Sequence, residues 1–95
     1  MLIRSQDKKK LIPIMPLGIT EIARSSRGEI NRVDGYAIYS YDNANTILGN
    51  YSTEEKAIKV LDMIEENYVN YALRYGGDYS RYAVFQMPQD EEVKA

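Results

Sequence analysis

The sequence predicts an α+β protein: an antiparallel β-meander, then one long helix in the C-terminal half, then a final short strand. Two observations predict this class. Short runs of alternating apolar and polar residues fill the first half of the chain, as in strands with one buried face. From residue 53 onward the apolar spacing changes to the three-and-four period of an amphipathic helix.

Most of the predicted strands are short and bounded by turn-forming residues. Pro13 and Pro16 place the second strand at a sheet edge, because proline cannot donate to a neighbouring strand. The segment Ile19–Ala23 fits either a strand or a helical turn, and both interpretations remain open. The clear candidates are Leu2–Gln6, Leu11–Met15, Gly35–Tyr41, Thr46–Gly49 and Tyr82–Met87.

The helix is predicted over residues 53–75. Ser52, with Glu55 three residues later, has the pattern of a capping box at a helix start. Gly76-Gly77 predicts the end, because glycine enters a left-handed cap without strain. A helix of this length spans about 35 Å, which is long for a small domain. Its apolar face comprises Ala57, Val60, Leu61, Ile64, Tyr68, Tyr71, Ala72 and Tyr75.

The chain has 95 residues, which predicts a single domain. We expect it to cover residues 1–88, followed by an acidic, disordered tail at 89–95. The sequence contains no cysteine and no histidine, which excludes thiol nucleophiles and removes the commonest general base and metal ligand. Adjacent carboxylates on a helix do not converge on one ion. We therefore expect no enzyme activity, no cofactor and no metal site.

Charge and hydropathy indicate which partners and which cellular location to expect. The net charge is −2, which argues against a duplex-DNA binder. Residues 1–49 contain seven Lys/Arg and five Asp/Glu, whereas residues 50–95 contain five and nine, so the halves carry +2 and −4. No segment approaches the roughly 18 apolar residues of a membrane span, and the first residues lack the apolar stretch of a signal peptide. The expected location is the cytoplasm.

Arginines and tyrosines form the candidate ligand site. Arg24, Arg27 and Arg32 lie in or near a Ser/Gly-rich loop, and guanidinium groups bind phosphate in a bidentate manner. A second group, Tyr71, Arg74, Tyr75 and Arg81, surrounds the glycine pair and combines stacking faces with cations. A solvated surface charge is the simpler interpretation of any single arginine. The clustering of arginine with tyrosine favours a binding site, although the helical tyrosines fit a core equally well.

Three stretches of the chain resemble small open reading frames of Gram-positive phages and prophages. They are MLIRSQDKKKL at residues 1–11, LGNYSTEEKAIKVLDMI at 48–64 and VFQMP at 84–88. The size, the sheet-plus-long-helix plan and this phage resemblance are in turn similar to the Thoeris anti-defence 1 family.

That second resemblance implies a non-enzymatic sponge. Members of the family sequester cyclic ADP-ribose isomers, and some also bind cyclic oligonucleotide signals. They assemble as homo-oligomers, often hexamers, with pockets between subunits built from arginine, aromatic and amide side chains. The resemblance implies a phosphate-binding role for Arg24, Arg27, Arg74 and Arg81, base stacking by Tyr71 or Tyr75, and base or ribose contacts by Asn67 or Asn70.

A different class of function remains open. The C-terminal half, at −4, has the charge to imitate nucleic-acid phosphates in a basic channel. In that alternative the protein inhibits a host nuclease defence system directly, as anti-CRISPR proteins do.

Overall fold

The computed structural model describes residues 1–14, 16–24, 32–41, 46–80 and 84–95. Within these residues the strands form two three-stranded sheets, ordered β2-β1-β6 and β3-β4-β5. The α+β class is confirmed, with a meander before the helix and a short strand after it. The elements are β1 (Leu2–Arg4), β2 (Leu11–Pro13), β3 (Leu17–Arg24), β4 (Arg32–Ser40), β5 (Ile47–Tyr51), α1 (Glu54–Ser80), β6 (Val84–Gln86) and a 3-10 helix (Asp90–Glu92).

The first sheet joins the two ends of the chain. Its central strand β1 pairs antiparallel with β2, where Ile3 is opposite Ile12, and parallel with β6, where Ile3 is opposite Phe85. Beyond β6 the backbone N–H of Met87 donates to the carbonyl of Arg4 at 3.0 Å. A parallel neighbour requires a long connection, and the chain supplies one through the second sheet and the helix.

The second sheet is the predicted meander. Strand β3 pairs antiparallel with β4 and β4 with β5, with a register shift in each pair. The ambiguous segment Ile19–Ala23 is part of strand β3. The expected turns at 25–28 and 42–45 lie outside the described residues, as do Met15, Tyr82 and Ala83.

The core lies where both sheets meet the first half of α1. The helix packs on β4 and β5 through Ala57, Val60 and Ile64, all buried. The rest of this apolar cluster comes from the strands and the residues beside them, namely Met1, Ile3, Ile12, Ile38, Leu48, Tyr51, Phe85, Met87 and Val93. Strict alternation does not account for β5, because Leu48 and Tyr51 are three positions apart and both are buried; the register shift between β4 and β5 lies beside Leu48.

The start of the helix differs from the expectation. The first residue of α1 is Glu54, and the hydroxyl of Thr53 accepts the backbone N–H of Lys56 at 3.2 Å. Thr53 is therefore the N-cap, and its own carbonyl accepts the first helical bond, from Ala57. Ser52 does not cap the helix. Its hydroxyl donates to the Asp90 carboxylate at 3.1 Å.

The end of the helix also differs. Helix α1 continues through Gly76-Gly77 to Ser80 and has 27 residues, or about 40 Å. Glycine inside a helix costs about 1 kcal/mol relative to alanine, so the pair weakens this segment without ending it. Ile64 is the last buried side chain among those described in the helix, and Tyr68 is 42% exposed. In the described part of α1, the side chains of residues 65–70 are therefore outside the buried core.

The acidic tail is ordered, in contrast to the expected disorder at 89–95. Gln89 and Glu92 cap the 3-10 helix reciprocally: the Glu92 carboxylate accepts the Gln89 backbone N–H at 2.8 Å, and the Gln89 carbonyl accepts the Glu92 N–H at 3.0 Å. Val93 is only 4% exposed and belongs to the core. The folded unit thus extends at least to Val93.

The protein is less compact than a typical globular chain of its length. The radius of gyration is 14.7 Å, whereas a compact chain of this length has about 12.4 Å. In the described part of the chain, no helix has the length and apolar character needed to cross a bilayer.

Candidate functional site

The side chain of Gln6 closes the outer edge of β5. Its carboxamide oxygen accepts the backbone N–H of Asn50 at 2.9 Å, and its nitrogen donates to the carbonyls of Asn50 at 3.0 Å and Pro88 at 3.1 Å. The backbone N–H of Gln6 donates to the Leu48 carbonyl at 2.7 Å. The side chain thus pairs with Asn50 as a neighbouring strand does. With these bonds in place, its role is structural.

Two other groups fasten the C-terminal segment to the same place. The hydroxyl of Tyr51 donates to the Pro88 carbonyl at 2.9 Å. Burial, and secondarily the nearby carboxylates of Asp90 and Glu92, raise the pKa of Tyr51, so the phenol stays neutral and donates. The amide of Gln86 donates to the carbonyl of Ser5 at 2.9 Å.

These contacts unite the three stretches on which the phage resemblance depends. Gln6 belongs to the first stretch, Asn50 and Tyr51 to the second, and Gln86 and Pro88 to the third. They are far apart in sequence and adjacent in the structure. These three stretches therefore assemble the scaffold of the protein.

A cleft of about 230 Å³ lies beside this junction. The Lys10 ammonium reaches the Ile47 carbonyl across it at 3.4 Å. The pKa of Asp7 is lowered by hydrogen bonds from the Ser5 hydroxyl and the Lys9 backbone N–H, so this carboxylate is ionised at neutral pH. An ionised carboxylate beside one lysine disfavours a dianionic ligand here. The lining consists of Gln6, Asp7, Lys10, Ile47, Leu48, Gly49 and Asn50.

The hairpin between β3 and β4 concentrates the predicted arginines. Strand register places Arg24 directly opposite Arg32, at the end of the paired segment. Arg27 lies in the connection between them, outside the described residues. Residues 24–32 contain three arginines and one glutamate, a net charge of +2. Like charges opposite each other in a sheet are destabilising, so this tip favours an anion.

The remaining predicted site residues fall on the distal half of α1. Asn67 is half-buried and donates to the carbonyl of Met63 at 3.0 Å, while Asn70 is exposed. Tyr71, Arg74 and Tyr75 lie within the helix. Positions 67, 70, 71 and 74 follow the three-and-four spacing that puts residues on one helix face. Arg81 lies outside the described residues.

Two tyrosines that were not among the predicted site residues, Tyr39 and Tyr41, form an aromatic pair at the end of β4. The rings of Tyr39 and Tyr41 are 5.0 Å apart and nearly perpendicular, at 86°. Tyr41 is 54% exposed, and its hydrogen bond raises the pKa of Tyr39. A Cβ at position 18 would lie 2.6 Å from the Tyr41 hydroxyl, so Gly18 leaves room for it. The alternation that put both tyrosines on one face was the available signal.

The carboxylates of Asp7, Asp90 and Glu92 serve as hydrogen-bond acceptors. The pKa of Asp90 is lowered, chiefly by the backbone N–H of Ser52, as the pKa of Asp7 is by Ser5. No group of three or more potential metal-binding side chains lies together in the described part of the chain. The arrangement there can bind and orient through cations, amides and aromatic rings.

The class that the fold and site define is a small α+β protein with two three-stranded sheets, one 27-residue helix and two arginines opposite each other at the end of β3 and β4. Comparisons with protein-family models, with curated proteins and with solved structures found no match to this chain. Its function is therefore argued from its own residues.

Proposed function

We propose that this chain is a phage-encoded counter-defence protein that sequesters cyclic nucleotide immune signals without cleaving them. It acts in the cytoplasm of the infected bacterium as a homo-oligomer. The ligands are cyclic ADP-ribose isomers and cyclic oligonucleotides. The observation that carries the proposal is the register of β3 and β4, which sets Arg24 opposite Arg32.

Paired arginines suit the phosphates of such a signal. Opposed residues in an antiparallel pair have Cα atoms about 5 Å apart, which lets two guanidinium groups reach one diphosphate. The whole chain is acidic at −2, but fields beyond about 8 Å are screened at physiological salt. The net +2 of residues 24–32 therefore dominates near the tip.

The distal half of α1 supplies the complementary chemistry. Asn67, Asn70, Tyr71 and Arg74 follow the spacing of one helix face, and among the described residues no side chain of α1 after Ile64 is buried. Amides bind base edges, and aromatic rings stack on bases. In the proposed homo-oligomer this helix face of one subunit meets the arginine tip of a second subunit, and the pocket lies between them.

Retention of ligand tests the proposal. Purified protein is incubated with a cyclic ADP-ribose isomer, washed and heated, and the supernatant is analysed by mass spectrometry. We expect intact ligand from the wild type. Arg24→Ala and Arg32→Ala should each weaken binding at least about tenfold, since charge-assisted hydrogen bonds contribute about 1.5–3 kcal/mol.

Arg4→Ala is the matched control. Its guanidinium donates to the Lys8 carbonyl at 3.3 Å, in the other sheet. Equal binding by the wild type and both tip variants would reject the arginine pair as the phosphate site. Recovery of a cleaved product would show an enzyme, and recovery of no nucleotide across several cyclic signals would reject sequestration.

The exposed acids of α1 favour the second candidate, direct inhibition of a host nuclease. Two glutamates begin the helix, and further exposed carboxylates follow on its outward side at Asp62, Glu65 and Glu66. A nuclease inhibitor should co-purify with its target and lose it when Glu65, Glu66 and Glu91 are changed to glutamine. Glu92 is spared in that variant because it caps Gln89.

A further inference from the structure

Strand β3 has an open hydrogen-bonding edge. The backbone N–H of Tyr41 donates to the Pro16 carbonyl at 3.0 Å, which fixes which residues bond to β4. Because such pairs alternate, the N–H and C=O groups of Leu17, Ile19 and Glu21 point away from β4. In the described part of the chain these groups have no hydrogen-bond partner. An edge of this kind is a template for another strand.

The other sheet edges among the described residues are closed or short. The Gln6 carboxamide covers β5 by binding both backbone groups of Asn50. Ile14 donates to the Met1 carbonyl, so the ring nitrogen of Pro13 lies on the outer side of β2, where it offers no donor. Strand β6 has only three residues. Strand β3 has eight residues and no proline.

We propose that the outer edge of β3 pairs antiparallel with β3 of a second copy, across a two-fold axis at Ile19. In this register Ile19 faces its own counterpart, and each Leu17 faces Glu21 of the other copy. All the outward backbone groups of the three residues are then satisfied, by about six hydrogen bonds. The result is one six-stranded sheet that continues from one subunit into the other.

The side chains fit this self-pairing better than pairing with an unrelated strand. Leu17 and Ile19 are partly buried against the core, so an Ile19–Ile19 contact joins two apolar interiors. The charge on this segment, Glu21, faces leucine. Along the paired β3 strands the two Glu21 residues are four positions, or about 14 Å, apart. This distance exceeds the screening length of about 8 Å at physiological salt. The two-fold arrangement therefore brings no like charges together.

This β3–β3 pairing, called the seam below, specifies how the subunits of the proposed homo-oligomer meet. It rests on the homo-oligomeric part of the proposed function and not on the identity of the ligand. Glu21→Pro is the decisive variant. It removes the outward N–H and leaves the bonds to β4 intact, and Thr20 before it already lies in a strand, as proline requires. Glu21→Ala is the matched control, because it keeps the N–H and removes the same side chain.

Two measurements on the full chain test the seam. Light scattering after size exclusion should give a wild-type mass that is an even multiple of 10.9 kDa. Glu21→Pro should halve that mass, and Glu21→Ala should retain it. Hydrogen exchange resolved by NMR should find the amides of Leu17 and Ile19 about a hundredfold slower in the wild type than in Glu21→Pro.

Each contrary outcome overturns the seam. These outcomes are a monomeric wild type at about 100 μM, an unchanged mass for Glu21→Pro, or fast exchange at Leu17 and Ile19. If circular dichroism shows that Glu21→Pro does not fold, the rate of hydrogen exchange at Leu17 and Ile19 in the wild type decides whether the seam forms. Protection that appears only after a bacterial lysate is added would assign the edge to a foreign strand. An oligomer that retains no nucleotide rejects sequestration and leaves the β3–β3 pairing, whereas a nucleotide-binding monomer rejects the pairing and the homo-oligomer and leaves sequestration.

Discussion

The carboxylate of Asp90 accepts two hydrogen bonds from Ser52, from its backbone N–H at 2.8 Å and its hydroxyl at 3.1 Å. Lys56 completes the contact, with its ammonium 3.5 Å from the other carboxylate oxygen and 3.0 Å from the Asp90 carbonyl. One acidic side chain thus fastens the C-terminal segment to the residues that precede and begin the helix. Its position explains why the acidic end of the chain is ordered.

Asp90→Ala should lower the free energy of unfolding by about 1 kcal/mol at pH 7, because two partly exposed hydrogen bonds are lost. The folded-state pKa of Asp90 is lowered, so this stabilisation is present above the ordinary aspartate pKa of about 4 and is lost as the pH falls through the folded value. Urea unfolding at pH 7 and at decreasing acidic pH measures both effects. The variant and the wild type should converge in acid.

Glu91→Ala is the control for Asp90, since Glu91 is an exposed neighbour. It should leave the urea midpoint within about 0.5 kcal/mol of the wild type. Equal midpoints for Asp90→Ala and the wild type at neutral pH would contradict a stabilising role for the Asp90–Ser52 contact.

Gln6→Glu changes one atom and should be costly. The carboxylate cannot donate to the carbonyls of Asn50 and Pro88, and it sets a negative charge against both. We expect a loss of about 1 kcal/mol or more, because two hydrogen bonds to exposed or partly buried carbonyls are lost. Chemical denaturation measures it. Lys9→Gln, an exposed change in the same hairpin, should have almost no effect; a similar loss for both variants would show general sensitivity of the hairpin.

Local sequence patterns predicted the strands and the helix, but they did not predict which distant residues would contact one another. The helical spacing after residue 53 follows from burial of one face, which the sequence displays directly. In β4 the adjacent Ala37 and Ile38 are both buried, so burial there does not alternate. The cap is different, because Ser52 and Thr53 are both good N-caps. Asp90, 38 positions away, engages Ser52 and leaves the cap to Thr53. A pattern that covers only a few neighbouring residues cannot predict a contact between residues so far apart in sequence.

The candidate site was predictable in part for the same reason. The sequence placed Arg24 near a loop, but only the strand register sets it opposite Arg32. Register depends on which turn closes the hairpin and on which face is buried, and a bulge after Ile22 shifts it further. The common helix face of Asn67, Tyr71 and Arg74 was predictable from the sequence, because residues three or four positions apart are neighbours on a helix surface.

Tyr51→Phe should reveal an alkaline dependence. Its folded-state pKa is raised, so above about pH 10 the unfolded chain ionises while the folded chain stays neutral, and stability falls as the pH rises. The variant should lose about 1 kcal/mol at pH 7 with the bond to Pro88, and then decline less steeply in alkali. Urea unfolding at pH 7 and 10.5 tests this.

Tyr68→Phe is the control for Tyr51, because it removes the hydroxyl of a tyrosine that is 42% exposed on the helix. It should reproduce the wild-type dependence on pH. A Tyr51→Phe curve parallel to the wild type in alkali would contradict the assignment of the raised pKa to this buried phenol.

Replacing both Gly76 and Gly77 with alanine should stabilise the protein. Both lie inside α1, where alanine is favoured over glycine by about 0.5–1 kcal/mol per position because the unfolded chain loses freedom. We expect a higher Tm and more helical signal in far-ultraviolet circular dichroism. Ala72→Gly, the reverse change in the same helix, should lower both. If Gly76-Gly77 formed a left-handed cap, alanine would be strained there and the double variant would lose stability, so the sign of the change in Tm distinguishes a continuous 27-residue helix from one that ends at the glycines.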